Sequence, residues 1–116
     1  MKTFSEEDAF RAFKGMSRRR FTDPQSGIKP ADVCLFVWLV AEAARVNCNP
    51  FNTTVTEIFF GFEATVDGEL QRIASVGMAL NTIKSSLDRL EGLGFVSVDK
   101  RAAGKGHKLT VEILME

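Results

Sequence analysis

The sequence predicts an α+β fold, mostly α, in the order helix, helix, strand, helix, helix and β-hairpin. Three observations carry that expectation. The stretch "ADVCLFVWLVAEAARVN", 31–47, is apolar nearly all round until Glu42, as expected of a central helix covered on several sides. In "GMALNTIKSSLDRLEGLGFV", 77–96, Leu80, Ile83, Leu87 and Leu90 recur at helical spacing. Beyond them, "FVSVD" and "HKLTVEIL" read as strands on either side of the glycine-bearing loop "KRAAGKG".

The elements follow in order. Ser5 is placed as an N-cap with Asp8 in the first turn, and Phe4, Phe10 and Phe13 mark one side of a helix ending near Gly15. A helix that short must dock on something to persist. "SRRRFTDPQSG", 17–27, reads as a loop through its Pro, Ser and Gly. Pro30 suits the first turn of the long apolar helix, with Asp32 nearby to complement its dipole, and Asn49-Pro50 ends it. "TTVTEIFFGF", 53–62, is rich in β-branched and aromatic residues and reads as a strand. Glu69–Ser75 is expected as a short helix with Leu70, Ile73 and Ala74 inward, broken from the next by Gly77. The following helix spans about Ala79 to Leu93 and closes on Gly94. In the last strand Leu109, Val111 and Ile113 share one side.

A chain of 116 residues suits one domain, 1–116, with 1–29 as an N-terminal helix and basic loop extending it. Its 45% hydrophobic and 26% charged residues exclude a disordered tail. Ten Phe, one Trp and no Tyr make its aromatic content apolar, which suits a core. Fifteen basic and fifteen acidic residues cancel, so any polyanion binding must rest on local placement of charge. Cys34 and Cys48 form no C-x-x-C pair and there is one His, too few ligands for a side-chain zinc site. Cys34, in an apolar run, is expected as a small core residue. No metal or other cofactor is expected. The first sixteen residues hold no apolar leader segment, and the longest apolar run, Val33–Ala41, is half a membrane span. The expectation is a soluble, cytoplasmic protein without a membrane partner.

The stretch from Glu69 to Ile113 resembles the winged helix-turn-helix DNA-binding family of bacterial, plasmid and phage regulators. Members often read approximately "E-L-A-x-x-L-G-V-S-x-x-T-V…L-x-x-L-E-x-x-G-L-V". This chain gives "ELQRIASVGMALNTIKSSLDRLEGLGFV", matching at Glu69, Leu70, Gly77, Thr82, Ile83, Leu87, Leu90, Glu91, Gly94 and Val96, with Glu69 and Leu70 two residues ahead of the phase the others keep. Two positions depart: Ile73 stands where a small alanine is usual, and Ala79 where a serine caps the second helix. The resemblance covers a little under half of the chain and implies a winged helix-turn-helix fold.

Such a module lays one helix in the major groove, where base edges present distinct donor and acceptor patterns. Asn81, Thr82, Lys84 and Ser85 supply short or forked polar groups on that helix. Asn can pair with adenine in two bonds, and Lys84 reaches guanine or a phosphate. A solvated helix face is the alternative reading of the same residues. Asp88 fits the binding reading only if it faces away from phosphates.

Lys100, Arg101, Lys105 and Lys108 follow with no acid between them, His107 beside them, and glycines at 104 and 106. They read as a wing contacting phosphates, which positions a protein without reading sequence. Arg18, Arg19 and Arg20 read either as an arm for the minor groove or as a solvated loop that pairs with acids.

No nucleophile–base grouping, P-loop or dinucleotide fingerprint is present in the sequence, so an enzyme is not expected. The expected function is sequence-specific binding of double-stranded DNA by a dimeric transcriptional regulator. The homodimer would form through the N-terminal helix and helix 30–47. Two alternatives stand beside it: a plasmid or phage replication, partition or transfer accessory protein that binds DNA, and a winged-helix protein-interaction module that does not.

Overall fold

The computed structural model describes residues 2–23, 25–100 and 108–115. The first helix, α1 (Glu6–Thr22), opens on a capping box: the Asp8 N–H donates to the Ser5 hydroxyl at 3.2 Å, and the Ser5 N–H donates to the Asp8 carboxylate at 3.0 Å. Acids occupy its first turn and Arg19 and Arg20 its last, so charge complements the helix dipole at both ends. The helix runs through Gly15 and takes in Arg18, Arg19 and Arg20, which corrects the expected loop at 17–27. One glycine inside a helix costs only about 1 kcal/mol. Burial of Ala9, Ala12 and Met16 offsets that cost. The buried face is thus built from small residues and Met rather than phenylalanines. Phe10 is 67% exposed, and Phe13 is half-buried, edge-on to Phe36 at 6.5 Å.

The second helix, α2 (Pro30–Val46), is the core's axis: Leu35, Phe36, Leu39, Val40 and Ala43 are all buried. Cys34 is exposed, a correction to the expected core position, and lies with exposed Val37 and Ala41 along one outward stripe. The chain continues as β1 (Phe51–Thr54), α3 (Val55–Phe60), β2 (Phe62–Val66), β3 (Glu69–Ile73), α4 (Leu80–Gly92), β4 (Val96–Asp99) and β5 (Lys108–Ile113).

Two sequence expectations change here. The single strand at 53–62 divides, because the Thr54 hydroxyl accepts from the Glu57 N–H at 2.9 Å and caps α3. The expected short helix at 69–75 is β3, paired antiparallel with β2 from Phe62↔Ile73 to Val66↔Glu69. Asp67 and Gly68, with φ of 52° and 82°, provide the two left-handed residues of a tight hairpin. An Asp-Gly pair between alternating segments outweighs the helical propensity of "ELQRI".

This ribbon is fastened at its base. Gly61 adopts φ 74° and ψ −179°, a region that essentially only glycine enters. A Cβ there would collide with the Ile73 carbonyl and the Ser75 backbone nitrogen. Trp38 of α2 donates its indole N–H to the Ala74 carbonyl at 2.9 Å and packs edge-on to Phe62 at 6.4 Å. Arg45, held by Glu42 through bonds of 2.6 and 2.8 Å, lies over the Phe62 ring at 5.3 Å.

A three-stranded antiparallel sheet, ordered β1-β5-β4, closes the other side of the core. Leu109, Val111 and Ile113 of β5 point inward together, as expected from their spacing. Ile58, Ile83, Leu87 and Leu90 meet them and α2 in a single cluster.

Among the described residues Asp32, Glu42, Thr53 and Ser86 are the buried polar side chains, and the first of them is tied into both α2 and α4. Asp32 is fully buried and accepts from the Ser86 hydroxyl at 2.8 Å, Arg89 Nε at 2.8 Å and the Lys29 N–H at 2.9 Å. Burial pushes its carboxyl up, but the Arg89, Lys29 and Ser86 hydrogen bonds outweigh that and hold it below the usual carboxylate range. A carboxyl whose pKa is depressed by folding stabilises the fold above its unfolded value and loses that contribution as pH falls through the folded one. Arg89→Met should therefore cost about 3 kcal/mol in chemical denaturation, because it strands a buried carboxylate. The stability gap between wild type and Asp32→Asn should narrow as pH falls from the unfolded carboxyl's ordinary value, about 4, through the depressed value that Asp32 has in the fold. For the ribbon, Gly61→Ala should cost about 2–3 kcal/mol, measured by the same denaturation.

Candidate nucleic-acid interface

The helix α4 has two unlike faces. Ile83, Ser86, Leu87 and Leu90 are buried, whereas Asn81, Lys84, Ser85 and Asp88 are exposed along the opposite side. Thr82 is half-buried at the margin between them. The same 3.6-residue period that seats the leucines thus aligns the four polar side chains.

The N-terminus of α4 is open. Ala79 makes no side-chain cap bond and the first turn holds no acid, so its leading N–H groups have no side-chain acceptor from the cap. An anion is the complement of such an end. The approach to it is fixed from behind: the Val76 N–H donates to the Ile58 carbonyl at 3.0 Å, and α3 packs on α4.

The β4–β5 hairpin follows α4 directly. Lys100, just past β4, and Lys108, the first residue of β5, are both exposed and flank the loop. Arg101, Lys105 and His107 lie outside the described residues. Lys100 Nζ approaches the Asp88 carboxylate at 3.6 Å, both side chains being more than half exposed. Asp88 thus stands on the same exposed face as Asn81, Lys84 and Ser85 rather than away from it, with Lys100 at its side, and an exposed pair of this kind contributes little to stability.

The arginine cluster is placed differently from either sequence reading. It is neither arm nor loop but the last turns of α1. Arg19 donates to the Leu93 carbonyl at 2.6 Å, and its guanidinium lies over the Phe95 ring at 5.1 Å. It therefore serves the C-terminal end of α4, about 20 Å along the helix from its open N-terminus. Arg18 is exposed and Arg20 half-exposed. The cluster is thus not gathered with Asn81, Lys84 and Ser85 at the start of α4.

Sequence reasoning missed two features near this site. The ribbon β2–β3 precedes α4 and leaves Leu70 71% exposed, with Phe60 63% exposed at its base. Asp32 anchors α4 through Ser86 and Arg89, a long-range pairing without a local sequence signal. Among the described residues no group of three or more His, Cys, Asp or Glu is placed to hold a metal ion. No described helix is long and apolar enough to cross a membrane. No protein-family model, curated protein or solved structure matches this chain.

Proposed function

We propose that the chain is a sequence-specific double-stranded DNA-binding protein of winged-helix type, acting as a dimeric transcriptional regulator. The observation that carries this reading is the polar face of α4. Asn81, Lys84 and Ser85 stand exposed at one open helix end, and a hairpin flanked by Lys100 and Lys108 follows within the same fold. The order α2, β1, α3, α4, β4, β5 is compatible with a winged helix in which α3 takes the place of the expected helix at 69–75 and a ribbon is inserted before α4.

In this reading α4 enters the major groove by its first two turns. Asn81 offers a bidentate match to adenine, and Lys84 and Ser85 reach base edges or phosphates. The uncapped N–H groups of α4 receive a phosphate oxygen, so the missing serine cap at Ala79 suits the function. Lys100 and Lys108, with the basic loop sequence between them, engage the backbone and set position rather than specificity. The exposed Cys34, Val37 and Ala41 stripe of α2 and the exposed Phe10 and Phe21 of α1 are surfaces on which a second copy can close.

A protein-interaction module is the second reading. Leu70, exposed on the ribbon, Phe60, exposed at the end of α3, and Asp88 on the polar face of α4 favour it.

Selection from random duplex DNA at low and moderate salt separates the two. Recovery of a palindromic site, bound less tightly as salt rises, is the expected outcome. Recovery of no preferred duplex, with binding undetectable at low salt, would favour the interaction module. On the selected site, Asn81→Ala should lower affinity by about 1–3 kcal/mol with specificity relaxed at one base pair. Asp88→Asn should raise affinity severalfold in fluorescence anisotropy, because it removes a negative charge beside the phosphates and releases Lys100. An affinity that falls would show Asp88 to be a contact in its own right.

A further inference from the structure

A groove of about 550 Å³ opens between α1 and the turn joining α4 to β4, with the C-terminal residues Leu114 and Met115 along its side. Its floor is apolar: Met16 and Phe36 are buried beneath it, and Phe95 and Met115 are half-buried at its walls. Its rim is basic. Arg11, Lys14 and Arg18 follow one another at i, i+3 and i+7 along α1, and Arg19 stands opposite beside Phe95.

In a chain whose acids and bases balance, four cations ring this one cavity and no carboxylate is among the described lining residues. Two of the four are already engaged, Arg11 with Asp8 at 2.8 Å and Arg19 with the Leu93 carbonyl at 2.6 Å. Lys14 and Arg18 make no ion pair among the described residues. The volume falls in the range of small-molecule sites, which combine an apolar lining with a few convergent polar groups. Met115, half-buried at the wall, can adapt to an irregular apolar body.

We propose that this groove binds a small amphipathic carboxylate, its apolar body on the Met16–Phe36–Phe95 floor and its anionic head between Lys14 and Arg18. The site stands at the opposite end of α4 from Asn81, so it holds independently of the DNA-binding reading. It has a consequence for α4 all the same. Arg19 of α1 stands on the groove's rim and donates to the Leu93 carbonyl at the C-terminal end of α4, so an anion that draws Arg19 away from Leu93 uncaps that helix end.

The test uses three probes with one chain length: decanoate, decanol and decyltrimethylammonium, each below its aggregation range. They are titrated into the full chain and followed by amide chemical shifts. Decanoate should saturate at one per chain, moving the amides of 14–19 and 94–95 together, and the neutral and cationic probes should bind at least tenfold more weakly. Lys14→Glu with Arg18→Glu should lower decanoate affinity at least tenfold. The milder Lys14→Gln with Arg18→Gln pair should lower it severalfold and serves if the reversal disturbs folding. Absence of saturable decanoate binding, equal binding of all three probes, or unchanged affinity in both double variants would overturn the proposal.

Discussion

Asp32 carries a charge with no access to solvent, and the arrangement of the helices follows from how that charge is satisfied. A buried carboxylate alone would be too costly to keep ionised. Ser86 and Arg89, one turn apart on α4, hold its two oxygens, and the backbone at Lys29 completes the set. The partners' positions leave little freedom: α4 must present Ser86 and Arg89 to the first turn of α2. Once that contact is made, the apolar residues Ile83, Leu87 and Leu90 face the core, and Asn81, Lys84, Ser85 and Asp88 face outward. The same contact therefore also sets which side of α4 faces solvent. Buried ion pairs are better understood as devices that specify one arrangement than as sources of net stability.

The ends of α4 are treated unlike one another. The C-terminal end is closed by Arg19 from a residue 74 positions away, stacked on Phe95. At the N-terminal end neither a capping side chain nor an acid is present. An end left without its cap carries an unmet demand for an acceptor. The ribbon adds a second asymmetry. It is anchored by Trp38, Phe62 and Gly61 at its base and extends with Leu70 exposed, so α3 and α4 are joined by a protruding hairpin rather than by a short turn.

How far the sequence reached depends on whether the governing contacts were local. The apolar periodicity of 30–46, the spacing of Ile83, Leu87 and Leu90 and the inward set Leu109, Val111 and Ile113 each report one element's own burial and emerged as expected, except that Leu80, Cys34 and Val37 are exposed. The polar face at Asn81, Lys84 and Ser85 followed from the same period. Asp32 was visible only as a helix-dipole residue, because Ser86 and Arg89 lie 54 and 57 positions away. The ribbon is a different case. Asp67-Gly68 between alternating segments is a strong local hairpin signal. Glu69 and Leu70 also resemble the opening of a helix-turn-helix pattern, but the Asp-Gly turn decides the local structure. Pro24, Ser26 and Gly27 signal a loop beside the arginines of 18–20, but acids in the first turn of α1 and Arg19 and Arg20 in its last complement the dipole of a longer helix.

The central claim is that the outward face of α4 is a reading surface for duplex DNA. Amide chemical-shift mapping during titration with the selected duplex tests it most directly, because each residue reports separately. The account expects the shifts to concentrate at Asn81, Lys84 and Ser85 and at Lys100 and Lys108 beside the hairpin loop, with the ribbon tip at Asp67 and Gly68 unmoved. Shifts confined to α1 or the ribbon, with residues 81–88 unchanged at saturation, would contradict it.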